Sequence, residues 1–423
     1  MAEETPLWLS LEFLENILRK VKNDNSISVI DISSKPATAK GDNYSSDLYR
    51  VSVEFASKQD DREVMNKISF IVKVAPSGDT VQRKVLYARL TLSRTDSREQ
   101  RVEQSKIFDT EISMMENLLR KMNDLVGPAH ILSPQVFYTK KEYPGFLVIE
   151  DLDPLGFRMA ARRAGLDLPH SLCAMRALAR FHASSLAICE KEPDHKTLYT
   201  RGLYYDKQTS GLRCFFILAT KSLAEQVKKW PNFEKYGEKI DKISDKIYYE
   251  TSKAIKHRDD EFNVINHGDF WVDNMMFRYN DEGKPIDHIF VDFQMCVYGS
   301  PAFDLQYFLS TSTNNEVYDN YKDRLIDEYY NTLCNMMKQL DCKTLPPSMK
   351  ELRKSIKERE IIAMISSFTV LPYVIVDKNE VKDVNEIISS DGVYSGVAHK
   401  NDLYREIISK RIPYYDQLGL LDL

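Results

Sequence analysis

Apolar residues recur along the first segment, Trp8 to Val21, at Leu11, Leu14, Leu18 and Val21, the spacing of one helix face. Ser10 is placed to cap this helix, with Glu12 in its first turn. From Ser28 the period falls to two. Ser28 to Ser33 reads as a strand, Leu48 to Phe55 alternates as a second, and Ile68 to Ala75 reads as a third. The intervening Gly41-Asp42-Asn43-Tyr44-Ser45-Ser46 is turn chemistry. A helix is predicted from about Ser105 to Met122, with Phe108, Ile112, Met115 and Leu119 as its buried stripe. Strands around Gln135 to Tyr138 and Phe146 to Ile149 close a sheet-rich portion near residue 150.

Beyond Asp151 the helical period dominates. Leu172 to Ile188, Phe233 to Lys256, Val317 to Gln339 and Ser348 to Val370 are the clearest helices. One strand pair interrupts them, Asn274 to Tyr279 and His288 to Phe293, turning at Asn280 to Lys284. Asp377 to Gly396 is polar and reads as a surface loop. The order implies an α+β, two-lobed, protein-kinase-like fold. Residues 1–150 form a small antiparallel-sheet lobe for nucleotide, and 151–423 a large helical lobe for catalysis and acceptor. A nucleotide is expected between them, where clefts favour ligands.

Composition narrows this picture slightly. Hydrophobic residues make up 43% of the 423 positions and charged ones 29%, enough for a large core and too little bias for disorder. A net charge of -5 advertises neither nucleic acid nor anionic membrane. The six cysteines form no CxxC pair, which fits free thiols better than disulfides or zinc. The uncharged tract from Ile361 to Val376 is shorter than the roughly 20 residues of a membrane span and contains Pro372. It reads as a buried helix broken near the proline. The opening Met1-Ala2-Glu3-Glu4 lacks a secretory pattern, so a cytoplasmic protein is expected.

The strongest chemical signal is Asn266-His267-Gly268-Asp269-Phe270-Trp271-Val272-Asp273-Asn274, followed at the end of a hairpin strand by Val291-Asp292-Phe293-Gln294. Phosphoryl transfer needs a carboxylate beside the attacking hydroxyl and a metal to hold phosphate charge. Asp269 suits the first role, as catalytic base. Asn274 and Asp292 suit the second, because Mg²⁺ prefers hard oxygen ligands. The spacing parallels the protein-kinase signatures H-R-D-x-x-x-x-N and D-F-G. An ordinary turn would explain His-Gly-Asp alone, though not the whole series.

Lys73, inside the apolar Phe70-Ile71-Val72-Lys73-Val74, is costly to bury unless paired. A kinase reading gives it the α- and β-phosphates, steadied by a helix glutamate. Glu111 shares the stripe of Met115 and Leu118 and is the candidate, with Glu103 and Glu116 as competitors. The Gly41 turn would lie over the phosphates, with Asn43 in it and the Ser45 and Ser46 hydroxyls as donors. Glu150 and Leu152, at the start of the second lobe, are placed to offer backbone groups to an adenine ring. His182 shares an apolar helix face and reads as a satisfied core histidine. Asp304 reads as a brace for the catalytic loop or a helix cap. The aromatics between Tyr199 and Phe216, including Tyr204, Tyr205 and Phe215, read first as core.

HGDFWVDNMMF, VDFQ and the Pro-x-x-Asp-Leu element at Pro301, taken together, resemble the ecdysteroid kinase-like family, relatives of choline kinases and aminoglycoside phosphotransferases. TPLWLSLEFLENILR, GDNYSSDLYRV, FIVKVAP, Phe108 with Glu111, VIEDL and LARFHA match it in the same order. The resemblance implies a choline-kinase-like two-lobed fold, ATP with Mg²⁺, and a cytosolic enzyme. It implies Asp269 as base, Asn274 and Asp292 as metal ligands, and Lys73 on phosphate. Acceptors in the family include the hydroxyl of moulting steroids, and members are linked to detoxification of plant or xenobiotic compounds. Asp273 departs from a second asparagine common there. The expected partner is a small hydroxyl acceptor, with no nucleic acid or membrane, and a monomer is expected. The competing readings are a choline or amino-sugar kinase, a catalytically inactive binder of nucleotide or hormone, and a protein kinase. The last lacks an APE-type element after Asp292.

Overall fold

The computed structural model describes residues 9–37, 47–60, 62–75, 108–142, 145–207, 210–377 and 396–423. These fall into two compact units. One is built from the described residues up to 75 with 134–156, the other from 108–133 with 157–423. The expected α+β order, an antiparallel sheet first and helices after it, is what the chain adopts.

The first unit is a sheet with a helix on one face. Helix α1 (Leu11–Lys22) starts where Ser10 Oγ accepts the Phe13 N–H at 3.2 Å, as the sequence predicts. Strands β1 (Ser28–Pro36), β2 (Asp47–Gln59), β3 (Arg62–Val74), β4 (Val136–Lys140) and β5 (Phe146–Glu150) form an antiparallel sheet in the order β1-β2-β3-β5-β4. Leu14, Ile17 and Leu18 of α1 pack on Val51, Val53, Phe70, Val72 and Val148 to make one core. The β2–β3 hairpin runs further than the alternation suggests, pairing Asp47 with Val74 and Gln59 with Arg62. Its outer part carries Lys58, Gln59, Arg62 and Glu63, because ladder hydrogen bonds need no apolar side chain.

In the second unit a helical stretch over 108–126 (α2) contains a π-helical turn, Met114–Leu118. Helix α3 (Leu168–Lys191) is buried along most of its length. Strands β6 (Phe157–Met159), β8 (Met275–Tyr279) and β9 (Pro285–Phe290) form one small sheet, ordered β6-β8-β9, while β7 (Val264–Asn266) pairs with β10 (Val297–Gly299). Helices α4 (Ser210–Val227) and α5 (Glu234–Ile255) precede this hairpin region. It is followed by α6 (Ala302–Thr311), α7 (Asn315–Asn320), α8 (Lys322–Gln339), α9 (Met349–Glu358), α10 (Glu360–Thr369), α11 (Leu371–Ile375) and α12 (Asp402–Gln417).

Two expected helices are each split. The 317–339 pattern breaks at Tyr321, and the 348–370 pattern breaks at Arg359. Arg359 leaves helical geometry while its guanidinium turns inward to Glu261 Oε2 at 2.5 Å and Ser355 Oγ at 2.7 Å. The apolar tract of 361–376 breaks at Val370, two residues before Pro372, which then sits in the first turn of α11. Among the described residues no helix is long and apolar enough to cross a membrane. The six cysteines are unpaired.

Candidate active site

Strand β7 delivers the chain into a tight loop, and the loop is fixed by backbone geometry before any side chain acts. Gly268 has φ +82°, and a Cβ there would lie 1.8 Å from the Met295 carbonyl oxygen. Only glycine allows so close a passage. Asp304, fully buried in the first turn of α6, accepts the His267 N–H at 2.6 Å and the Gly268 N–H at 2.9 Å. His182 Nε2 bonds the same carboxylate at 3.1 Å, and its Nδ1 meets the Tyr329 hydroxyl at 2.8 Å. The readings of Asp304 as a brace and of His182 as a satisfied core histidine thus describe one network. His267 Nε2 bonds the Val291 carbonyl at 3.1 Å, linking the loop to the chain that returns from β9. Burial holds the His267 pKa below its usual value.

The structure brings Asp269, Asn274 and Asp292 together. Asn274 Nδ2 donates to Asp269 Oδ2 at 3.0 Å and to the Asp269 carbonyl at 2.9 Å. With the amide so oriented, Asn274 Oδ1 is the atom left to serve a cation. The Val291 N–H donates to the Asn274 carbonyl at 3.1 Å, which seats Asp292 beside the loop. Asp292 itself has φ +67°, a left-handed conformation that carboxylate and amide side chains tolerate better than most. Its Oδ2 accepts Gln294 Nε2 at 3.2 Å.

Burial pushes the Asp269 pKa up to about 7, and repulsion from Asp292 adds to it. Hydrogen bonds from Tyr307 and Asn274 act in the opposite direction. Two carboxylates this mutually repulsive, with an amide oxygen beside them, suit a divalent cation. Among the described residues no three His, Cys, Asp or Glu side chains cluster as a metal cage. Two protein ligands are nevertheless the ordinary provision for Mg²⁺, which takes its remaining oxygens from phosphate and water. Asp273 does not add its charge alone, since it faces Arg162 Nη1 at 3.6 Å.

Sequence reasoning missed Tyr307. Its hydroxyl donates to Asp269 Oδ1 at 2.8 Å, from one turn after Asp304 on α6. The signal was available, because positions three apart on a helix share a face. Tyr204 and Phe216 are core, as expected, with Tyr204 Oη 3.3 Å from Ser366 Oγ.

The nucleotide candidates lie elsewhere in the sequence. Gly41, Asn43, Ser45 and Ser46 fall outside the described residues, as do Glu103 and most of 377–396. Lys73 is only 4% exposed and stands between Leu48 and Leu147 in the sheet register, on the face opposite the Phe70, Val72 and Val74 side chains that meet α1. Glu111 is 3% exposed on α2, whereas Glu116 is partly exposed. Glu150 ends β5, and its N–H is already committed to the Gln135 carbonyl at 2.9 Å. Leu152 is buried, and its carbonyl accepts the Leu155 N–H. Between them Asp151 ties β2 and β3 to this segment. It accepts Ser69 Oγ at 2.8 Å and pairs with Arg50 Nε at 2.8 Å.

No curated protein matches the sequence. A solved structure described as amicoumacin kinase hAmiN in complex with AMP-PNP, Ca²⁺ and Ami is similar over 94% of this chain and 93% of its own. The identity is 12% and the TM-score 0.38. The model of the ecdysteroid kinase-like family matches residues 40–342, a span that holds the loop, the hairpin and the carboxylates just described, and the chain belongs to the ecdysteroid kinase-like family.

Proposed function

We propose that this protein is a small-molecule phosphotransferase that moves the γ-phosphoryl group of ATP to a hydroxyl of a lipophilic acceptor, an ecdysteroid or a xenobiotic alcohol or glycoside. The observation that carries the reading is the convergence of Asp269, Asn274 and Asp292 from a loop and the strand beside it, within a chain of a kinase-like family. Asn274 Oδ1 and Asp292 would hold Mg²⁺, which supplies charge neutralisation for the phosphate oxygens.

The chain's own part is positional. Asp269 orients the acceptor hydroxyl and takes its proton as the oxygen becomes a nucleophile. Tyr307 and Asn274 each hold one of its oxygens, so the carboxylate cannot rotate away from the acceptor. Asp304 holds the loop from behind through two backbone N–H groups. Lys73 and Glu111, charged yet buried, are assigned to the nucleotide phosphates and their support, and the chain at Glu150 and Leu152 to the adenine.

The test is incubation with Mg·ATP and a mixed panel of steroids, glycosides and cholines, read by mass spectrometry for a gained phosphoryl group. Asp269→Asn is run beside it. A phosphorylated steroid or glycoside with wild type and none with the variant supports the reading. Phosphorylation of choline instead would move the acceptor class. No ATP consumption with any acceptor, or equal turnover by Asp269→Asn, would refute the assignment.

A further inference from the structure

A second site is built at the far end of α6, apart from the Asp269 loop. A cavity of about 190 Å³ opens between α7, the start of α8 and α12. Its wall includes Tyr318, Asp319, Lys322, Lys410, Arg411 and Tyr414. Arg411 is the anomaly. It is 4% exposed, yet among the described residues no carboxylate stands within ion-pair distance of it. Its Nη1 donates to the Ser310 carbonyl at 2.7 Å and to Ser367 Oγ at 2.9 Å. Its Nε is buried and has no hydrogen-bond partner among the described residues. The Tyr318 ring lies 3.7 Å from the guanidinium carbon and partly offsets the desolvation. A buried charge still needs a counterion or a full set of bonds, and here one donor edge has neither.

The surrounding charge has the matching sign. Lys322 Nζ sits 4.0 Å over the same Tyr318 ring, and among the described residues Lys410 pairs with the exposed Glu406 at 3.5 Å. Against these three cations stand two acids, Asp319 in the wall and the partly buried Glu360 behind it, which meets the Tyr414 hydroxyl and lies near Lys322, so one positive charge is left in excess. The volume lies below the roughly 300–1,000 Å³ of sites for drug-sized ligands, so the occupant is small. A guanidinium edge is shaped for two oxygens of one carboxylate or phosphate group. Two cations already lie over the Tyr318 ring, so the exposed Tyr414 ring is the surface left for a flat apolar body to lie on.

We propose that this cavity binds a small ring-bearing oxyanion, a carboxylate or phosphate monoester, with its charged head on Arg411 and flanked by Lys322 and Lys410. The proposal does not rest on the phosphotransferase reading, because it is tested by binding alone. The full chain is titrated calorimetrically with phenyl phosphate, with benzoate and with inorganic phosphate. Saturable binding is expected for one or both ring-bearing probes, and which one binds tells phosphate ester from carboxylate. Lys322→Gln/Lys410→Gln, two partly or fully exposed positions that leave the core intact, is expected to weaken binding roughly tenfold, the loss for two rim charges. Asp292→Asn is expected to leave it unchanged, which separates this cavity from the Asp269 loop. Arg411→Gln is expected to abolish binding, and should it fail to fold, the double lysine variant decides. Absence of saturable binding at millimolar probe, binding indifferent to the lysine pair, or binding lost in Asp292→Asn overturns the site.

Discussion

Replacing Asp304 by asparagine tests how the Asp269 loop is held. The carboxylate takes three donors: the His267 and Gly268 backbone N–H groups at 2.6 and 2.9 Å, and His182 Nε2 at 3.1 Å. The residue is fully buried, so water cannot replace any of them. Asparagine keeps one acceptor oxygen and turns an NH₂ toward a backbone donor. One charge-assisted bond is lost at about 1.5–3 kcal/mol, and a buried donor is left unsatisfied at about 1–3 kcal/mol more. The expected cost is therefore about 2.5–6 kcal/mol, a large share of the 5–15 kcal/mol typical of a folded domain. Thermal unfolding of the full chain should show Tm lowered by roughly 5–24 °C. Phosphoryl transfer should fall about a hundredfold even well below the melt, because a misplacement of about 1 Å in the loop has that effect. A shift under about 2 °C with undiminished turnover would show that the loop holds its shape without this carboxylate, and the bracing account would be wrong.

Gly268→Ala places a methyl group 1.8 Å from the Met295 carbonyl oxygen, so the loop must move. Turnover should drop about a hundredfold or more, and unchanged kinetics would contradict the backbone path. Tyr307→Phe removes the donor on Asp269 Oδ1 while keeping the ring, and should lower kcat about tenfold with little change in Tm. Wild-type kcat would strip Tyr307 of a positioning role. Asp292→Asn keeps the left-handed backbone and removes the charge, so metal-dependent ATP use should vanish with the fold intact, and retained turnover would displace Asp292 from the metal. His288, buried against Phe270, Phe277 and Phe290, has a pKa lowered by burial to about 3, and among the described residues neither ring nitrogen has a hydrogen-bond partner. The unfolded chain takes up that proton near pH 6.5, so stability is full above 6.5 and is lost as pH falls toward 3. By pH 5 the loss is about 2 kcal/mol. His288→Phe should flatten the fall in Tm between pH 7 and 5, and an equal fall in variant and wild type would refute this origin.

The proposed site was the most legible part, because phosphoryl transfer demands particular side chains at particular spacings. Asp269, Asn274 and Asp292 could be paired on paper since a short hairpin leaves little freedom in how the chain returns. Strands and long helices were legible where burial imposes a period, as in β3 or α5. The breaks at Tyr321 and Arg359 were not, because nothing local forbids a helix there. Arg359 is drawn out of register by Glu261, nearly a hundred positions away in the chain. Helices α4, α6 and α12 escaped for another reason. The first and last have weak amphipathic contrast, and every residue of α6 is buried, so no polar face alternates with an apolar one. Tyr307 hid in that uniform burial.

The twist of the chain at Asp292 has a consequence for how this position can change over evolutionary time. If Asp292 holds the metal as proposed, two filters act on one residue, the sign of a backbone angle and the identity of an oxygen ligand. Asparagine passes the first and lacks the charge, glycine passes the first and brings no oxygen, and glutamate carries the charge but fits the turn poorly. No single replacement satisfies both, so a descendant that drifts here keeps its shape more readily than its chemistry, and loss of activity would leave a well-folded protein behind.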